Sequence, residues 1–301
     1  MGEIGDLFEP VKKNEKYGFY ELADKYRKQM QDFYSDEYYQ NEHALYQKKA
    51  YDEIDMKHKR FFFAQKQFIY EKNASDASEK RFLDIGCGEG YALAYFNEQG
   101  WDVTGIDYSS FGVENHNPEM AERLIKGDFD KIALDLERAG KKFELINADN
   151  LLEHLPNPES FFENVKKISH PGTIVSVLVP NDFSRIQKLA YKFGNIDGPF
   201  WVTTQTSEHF NYFSIESLTA LGEGFGLEKV AALGDWSIDY FLLHGKTNYK
   251  VDKTAGHDCH VACTELENSI YEDSMEDAVG LFEALGKVGI GRNISVYFRV
   301  K

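Results

Sequence analysis

Basic residues and cysteines are scarce in this chain. Its 34 lysines and arginines stand against 50 aspartates and glutamates, which gives a formal net charge of −16. Nucleic-acid-binding proteins usually carry a net basic surface, so this charge predicts a chain with no nucleic-acid partner. The 3 cysteines, Cys87, Cys259 and Cys263, are too few for a disulfide framework and favour a reducing, cytoplasmic environment.

Long apolar runs are also missing. The most apolar stretch, residues 174–179, is interrupted by Ser176 and is far too short to span a bilayer. The first residues show no basic segment followed by an apolar one, as a secretory signal would require. We therefore expect a soluble globular protein with no membrane partner, in keeping with 42% hydrophobic and 28% charged residues.

Aromatic residues, in contrast, are abundant at 15% of the chain. Residues 1–80 are rich in tyrosine and lack strand-like runs, which predicts an N-terminal helical extension with a helix at about 36–70 and a polar linker at 72–80. Its rings form either a lid over a bound molecule or a layer that packs on the sheet or on a second copy in a homodimer. These rings belong to Tyr34, Tyr38, Tyr39 and residues 61–63.

From Arg81 onwards, apolar strand-like runs alternate with helical stretches. The predicted strands are 81–85, 102–106, 123–126, 143–147, 173–179, 227–233 and 294–300, and the predicted helices are 91–99, 129–139, 158–169 and 214–222. We expect an irregular stretch from Pro180 to Tyr212 and an insertion at 236–291 with a helix near 262–285. The alternation predicts an α/β fold with an open, wound sheet.

A glycine loop follows the first of these strands, in the run LDIGCGEG from Leu83 to Gly90. Glycine at every second position lets the backbone approach a ligand, and the next helix offers free N–H groups. Asp107 ends the second strand 21 residues after Gly86, where a carboxylate suits a ribose diol. The loop is G-x-G-x-G rather than G-x-G-x-x-G, and the preceding Asp84 suits a cationic ligand, which favours S-adenosylmethionine over NAD.

The segment 82–233 resembles the class I S-adenosylmethionine-dependent methyltransferases. The resemblance rests on LDIGCGEG, GIDYSS, KGDFD and the segment that begins INADNLLEHLPNPES, which is similar to the branch of ubiquinone-type and sugar small-molecule methyltransferases. It implies an α/β, Rossmann-like seven-stranded mixed sheet with an antiparallel last strand, S-adenosylmethionine as the cofactor and a small-molecule substrate. Residues 81–235 and 291–301 would form the cofactor-binding core, and 236–290 an insertion.

The same resemblance implies a role for each matching residue. The loop residues would lie under the cofactor, and the acids and rings at the strand ends would surround its methionine, ribose and adenine parts. The residues are Gly86, Cys87, Gly88 and Gly90 for the loop, Asp84, Asn147 and Ala148 for the methionine end, Asp107 for the ribose, and Tyr108, Asp128 and Phe129 for the adenine.

Methyl transfer needs an aligned acceptor and, where the acceptor carries a proton, a base. We expect His209 to be the catalytic residue, with His154 second and Asp182 and Tyr212 behind. His209 follows the fifth strand, in a region where substrate loops commonly lie. A purely structural role is the alternative for each histidine.

No metal is expected in this protein. Some ubiquinone-type relatives carry Glu-x-x-Glu-His after the fourth strand, which can ligate a divalent cation, but Asn150 replaces the first acid here. A second group, His257, Cys259, His260 and Cys263, lacks the separate second ligand pair of a zinc site. Ordinary packing at the start of a helix is the interpretation that we prefer.

The sequence therefore predicts a cytoplasmic S-adenosylmethionine-dependent methyltransferase. Its expected acceptor is an oxygen of a sugar, a sugar nucleotide or a surface-polysaccharide precursor. Three alternatives stay open: an N- or C-methyltransferase for a specialised metabolite, a non-catalytic methyltransferase-like binding subunit, and an NAD-dependent oxidoreductase.

Overall fold

A computed structural model describes residues 10–27, 51–74, 79–198 and 209–301. The strands are β1 Val11–Lys13, β2 Tyr20–Leu22, β3 Arg81–Ile85, β4 Asp102–Asp107, β5 Leu124–Lys126, β6 Phe143–Asp149, β7 Ser169–Pro180, β8 Asn211–Tyr212, β9 Leu227–Gly234 and β10 Asn293–Val300. The α-helices are α1 Glu53–Asn73, α2 Tyr91–Glu98, α3 Phe111–His116, α4 Phe129–Arg138, α5 Pro158–Lys167, α6 Arg185–Lys192, α7 Ile215–Gly224, α8 Gly256–Asp273 and α9 Met275–Lys287. Short 3-10 helices occupy Pro118–Arg123, Leu152–His154, Ile238–Leu243 and Lys253–Ala255.

One sheet of seven strands, in the order β5-β4-β3-β6-β7-β10-β9, forms the centre of the fold. The strands from β3 to β7 pair in parallel. β10 runs antiparallel to both of its neighbours, with Val296 between Val177 of β7 and Ala232 of β9. The predicted Rossmann-like fold class, with its antiparallel last strand, is thereby confirmed.

The sheet is covered by helices on both faces, which explains why β6 and β7 are near-continuous apolar runs. One face packs against α4, α5 and α7 through rings and aliphatic groups such as Phe161 and Leu218. The other face packs against α1, α2, α8 and α9 through Phe63, Phe96 and Phe282. The helix of the N-terminal extension thus belongs to the same core as the sheet.

Polar residues end the parallel strands at one edge of this sheet. The register places Asp84 of β3 opposite Asn147 of β6, and Asn147 opposite Ser176 of β7. On the other side of β3, Ile85 lies opposite Ile106, so β4 delivers Asp107 to the same edge. Ligands of open α/β sheets bind at this carboxyl edge.

The N-terminal extension differs from the prediction in its helix and in its strands. Its described helix α1 begins at Glu53 and continues to Asn73, into the expected linker at 72–80. The predicted absence of strands before residue 81 is wrong, because β2 pairs with β1 on one side and with β8 on the other in a separate three-stranded sheet. β1 and β2 have 3 residues each, and so short a strand shows no detectable alternation. The predicted lid tyrosines Tyr34, Tyr38 and Tyr39 lie outside the described residues.

Three predicted boundaries beyond the glycine loop are also wrong. The stretch after Pro180 contains α6, whose cap Ser184 accepts the N–H of Gln187. The helix expected near 262–285 is two helices, because Ser274 has an extended backbone and caps α9. The strand expected at 173–179 begins earlier, at Ser169, and so includes Pro171 and Gly172. Among the described helices, none has the length and apolarity to cross a bilayer.

Candidate active site

The loop between β3 and α2 has the conformation that its glycines allow. Gly86, Gly88 and Gly90 have φ of 75°, 52° and 78°, a left-handed region that side chains with a Cβ rarely enter. Gly86 and Cys87 both donate their N–H to the carbonyl of Ile106, which fixes the loop against β4. The buried Cys87 side chain packs into the core below, so Cys87 can offer only its backbone to a ligand.

Asp107 stands beside this loop at the end of β4. Its Oδ2 accepts the N–H of Gly88 at 2.9 Å, and its Oδ1 accepts the N–H of Ser109 at 3.0 Å. Burial raises the pKa of its carboxyl above the ordinary value, against the effect of these backbone donors. Each carboxylate oxygen has capacity for a second donor, so Asp107 can accept hydrogen bonds from two neighbouring hydroxyl groups.

The next residues along this edge are Tyr108 and Asp128. The Tyr108 hydroxyl donates to Asp128 Oδ2 at 2.5 Å, and 43% of the Tyr108 residue surface is exposed. Asp128 also caps α4 by accepting the N–H of Lys131. Phe129 packs in the core with its ring centroid 5.8 Å from that of Phe161. Of the two predicted rings, Tyr108 is therefore the exposed one.

A buried acid and amide lie at the ends of β3 and β6. Asn147 Nδ2 donates to Asp84 Oδ1 at 2.7 Å. Burial, followed by the nearby Asp149 carboxylate, raises the pKa of Asp84 to about 7. The buried Asn147 Oδ1 has no hydrogen-bond partner among the residues that the structure describes. The free Asn147 oxygen and the neighbouring Asp84 carboxyl group together suit an ammonium group. The cationic methionine end of S-adenosylmethionine carries such a group.

Sequence reasoning missed Lys66 of α1, which reaches the same strand ends. Its ammonium donates to Asp149 at 2.8 Å and to Ser176 Oγ at 3.0 Å, and its side chain has no exposed surface. A buried lysine of this kind needs such partners. Phe63, Lys66 and Tyr70 are three and four residues apart and lie on one buried helix face. This spacing is the feature of the sequence from which a buried lysine could have been predicted.

The two predicted catalytic histidines lie together. The rings of His154 and His209 meet edge to face with centroids 4.8 Å apart, and the Tyr212 hydroxyl donates to the His209 carbonyl. Burial, followed by the nearby His154, lowers the pKa of His209 to about 3. His209 is therefore a weak proton acceptor at neutral pH, and its pKa gives no support to the predicted catalytic role.

Asp182, the third candidate, is fully enclosed. Neither oxygen of its carboxyl group has a hydrogen-bond partner among the described residues. Burial holds its pKa well above the ordinary value, with the Asp239 carboxylate adding to the effect. A protonated, enclosed acid of this kind is a poor base.

Glu153, His154 and His209 bring three ligand-type atoms within 4.8 Å of one another. Two of these residues, Glu153 and His154, are the ones that the sequence places after Asn150, and the fold adds His209 as a third. The absence of a metal stays a prediction.

Of the second cysteine and histidine group, the two cysteines pack at the start of α8, whereas His257 and His260 are exposed. Cys259 and Cys263 are buried thiols, and His260 Nε2 lies 2.8 Å from Asp55 of α1. These contacts tie α8 to α1.

Comparisons with known proteins agree with this geometry. A family model described as a methyltransferase domain matches residues 46–232, well over half of the chain. The ubiquinone biosynthesis O-methyltransferase of Rickettsia bellii (strain OSU 85-389) is 26% identical over 168 residues, which cover 54% of this chain and 68% of that protein. The enzyme of the same name from Rickettsia typhi is 25% identical over 200 residues, or 60% of this chain and 80% of its own.

The fold also has a counterpart among solved structures. The plantazolicin methyltransferase BamL, in complex with a triazolic desmethylPZN analogue and SAH, superposes with a TM-score of 0.51. The match covers 92% of this chain and 96% of that one at 14% identity. At that identity the likeness shows a shared fold.

Proposed function

The chain belongs to the class I S-adenosylmethionine-dependent methyltransferases, with S-adenosylmethionine as its cofactor, and we propose that it methylates an oxygen of a small polyhydroxylated molecule. The acceptor class is a sugar, a sugar nucleotide or a surface-polysaccharide precursor. The observation that supports the cofactor is the buried Asp84–Asn147 pair beside the left-handed glycine loop. This pair gives a cationic, amino-acid-bearing cofactor a complementary place at the sheet edge.

The proposed cofactor contacts follow the order of the strand ends. Gly86, Cys87, Gly88 and Gly90 present their backbone under the cofactor; Asp84, Asn147 and Ala148 hold its methionine end; Asp107 accepts the ribose hydroxyls; Tyr108, Asp128 and Phe129 surround the adenine. Asp107 supports this order best, because both of its oxygens are already oriented by backbone N–H groups. A side chain that is already oriented loses little conformational entropy when a ligand binds.

The cofactor supplies a methyl group on a positively charged sulfur. The protein has to bind both molecules, align the acceptor and exclude water. Lys66 contributes by holding Asp149 in place beneath the methionine end. The proposal also includes assembly with a second copy of the chain, a cytoplasmic location and the absence of nucleic-acid and membrane partners. The charge of −16 supports the absence of a nucleic-acid partner.

Oxygen is preferred as the acceptor atom because the Rickettsia relatives are named O-methyltransferases. The family membership argues against an NAD-dependent oxidoreductase. N- or C-methylation and a non-catalytic binding subunit are the alternatives that the experiment has to separate.

An acceptor screen tests the proposal. The purified protein is incubated with S-adenosylmethionine and UDP-glucose, GDP-mannose, 3,4-dihydroxybenzoate or glycine, and S-adenosylhomocysteine release is measured with mass spectrometry of the product. We expect methyl ethers from a sugar nucleotide. Turnover of glycine alone would support N-methylation, and binding of the cofactor without any turnover would support the binding subunit.

A further inference from the structure

A cavity of about 350 Å³ lies between α1, α8 and the ends of β9 and β10, next to the proposed cofactor edge. That volume falls within the range of small-molecule sites. Two other cavities, of about 480 and 440 Å³, are lined by Phe183, Lys188 and Glu216 on the α6–α7 side. Asp182 and Tyr212 also line the second of these. No proposed cofactor residue lines any of the three cavities, so the choice among them rests on the residues that surround each one.

Two residues of its lining show where the cavity of about 350 Å³ lies relative to the cofactor edge. Asn150 lines it, and Asn150 directly follows Asp149, the partner of Lys66. Gln65 also lines it and directly precedes Lys66. Gln65 and Asn150 therefore place the cavity next to the Lys66–Asp149 contact at the carboxyl edge of the sheet.

Its lining mixes aromatic rings with polar groups. Phe62 and Tyr271 contribute rings, and the Tyr271 hydroxyl accepts a hydrogen bond of 2.7 Å from Gln65. Asp235 and Glu267 bring carboxylates to the same lining. Rings that cover C–H faces, together with acids and amides that bind hydroxyls, suit a polyhydroxylated ring better than an aliphatic chain.

A histidine and a glutamate face each other at this cavity. His58 Nε2 of α1 lies 2.5 Å from Glu267 Oε2 of α8, and the other Glu267 oxygen accepts the N–H of Trp236 at 2.6 Å. The Glu267 side chain is 9% exposed and that of His58 29%. A carboxylate fixed in this way holds the proton on Nε2, which leaves Nδ1 as the proton-accepting nitrogen.

We propose that this cavity binds the acceptor, a sugar or sugar nucleotide, and that His58, positioned by Glu267, is the catalytic base that removes the proton from the acceptor hydroxyl. The inference rests on the proposed function. As the oxygen–carbon bond forms, the carbon–sulfur bond breaks and its electron pair stays on sulfur. The hydroxyl proton passes to His58 Nδ1, and the imidazolium is stabilised by Glu267.

The test compares His58→Gln and Glu267→Gln with a matched control, His260→Gln. His260 joins the same two helices through Asp55 at 2.8 Å but lies outside the cavity. With UDP-glucose as acceptor, we expect His58→Gln to lower kcat about 100- to 10,000-fold. S-adenosylhomocysteine affinity should stay within about twofold, and His260→Gln should behave as the unaltered protein.

The pH profile separates a base from a structural residue. Lys59, Asp235, Glu267 and Tyr271 are the other charged or titratable groups that line the cavity. The acidic limb of the kcat profile should vanish in His58→Gln, because the base is then missing. In Glu267→Gln, kcat should fall with that limb retained, because the base is present but no longer positioned. A His58→Gln protein within threefold of the unaltered kcat overturns the assignment.

A binding measurement covers the case in which UDP-glucose is not turned over. Histidine-labelled protein saturated with S-adenosylhomocysteine is titrated with UDP-glucose and with 3,4-dihydroxybenzoate, and the imidazole resonances are followed by NMR. We expect UDP-glucose to shift the His58 resonance and leave that of His260 in place. A His58 resonance that neither probe moves, or that only the phenol moves, overturns the inference. Failure to bind S-adenosylhomocysteine would instead overturn the proposed function.

Discussion

The Lys66 ammonium lies 2.8 Å from the Asp149 carboxylate, at the junction of the N-terminal helix and the central sheet. The lysine side chain is fully buried, whereas that of Asp149 is 23% exposed. The Phe62 ring lies under the same ammonium, with 4.5 Å between Lys66 Nζ and the ring centroid. The helix that lines the acceptor cavity and the strand that ends at the cofactor edge are thus joined by one charged contact.

Replacing this lysine should destabilise the fold. Lys66→Met leaves Asp149 without its buried partner, and we expect the free energy of unfolding to fall by roughly 2–3 kcal/mol, near the lower end for broken buried pairs because Asp149 is partly exposed. Urea denaturation measures the change. Lys72→Met, on the same helix but exposed and paired with Glu276 at 3.4 Å, is the control and should change it by less than about 0.5 kcal/mol. Equal effects of the two substitutions would contradict a buried contact.

The raised pKa of Asp84 makes a prediction about pH. Between its ordinary value of 3.8 and about 7, the folded protein keeps a proton on Asp84 that the unfolded chain has lost. The stability contributed by this group is complete at low pH and is lost as the pH rises through about 7. Relative to the unaltered protein, Asp84→Asn should therefore gain stability as the pH rises from 4 to 7. Thermal unfolding across that range checks this, and a difference independent of pH would contradict it.

Asp107 should dominate the affinity for the nucleoside part of the cofactor. Asp107→Ala removes the acceptors for two hydroxyl groups, and we expect a loss of about 1.5–3 kcal/mol in binding S-adenosylhomocysteine, or roughly 10- to 150-fold. Asp102→Ala is the control, since this exposed acid begins the same strand and pairs with Arg123. Calorimetry with both variants checks the prediction. Unchanged affinity in Asp107→Ala would remove the ribose assignment.

The glycine loop depends on a close approach from α3. A Cβ added at Gly112 would lie 2.3 Å from the carbonyl oxygen of Gly88, so Gly112→Ala must displace the loop. We expect S-adenosylhomocysteine affinity to fall about tenfold, in line with the cost of overpacking a tight contact. Gly245→Ala meets no atom within 4 Å and serves as the control. Wild-type affinity in Gly112→Ala would show that loop geometry does not govern binding.

The cofactor edge could be predicted from the sequence because its signals are local. Asp84, Asp107 and the glycines lie within one strand–loop–helix unit and the next strand, and the alternation of apolar runs fixed their placement at one sheet edge. The Lys66–Asp149 contact spans 83 residues and the His58–Glu267 contact 209, so only the assembled fold brings these partners together. The two short N-terminal strands were missed for a different reason, since 3 residues carry no readable period.

The most direct test of the account is a calorimetric titration of the folded protein with S-adenosylhomocysteine, with NAD as the control ligand. We predict one site that binds S-adenosylhomocysteine in the micromolar range and no heat with NAD. A folded sample that binds NAD, or that binds neither ligand, would contradict it.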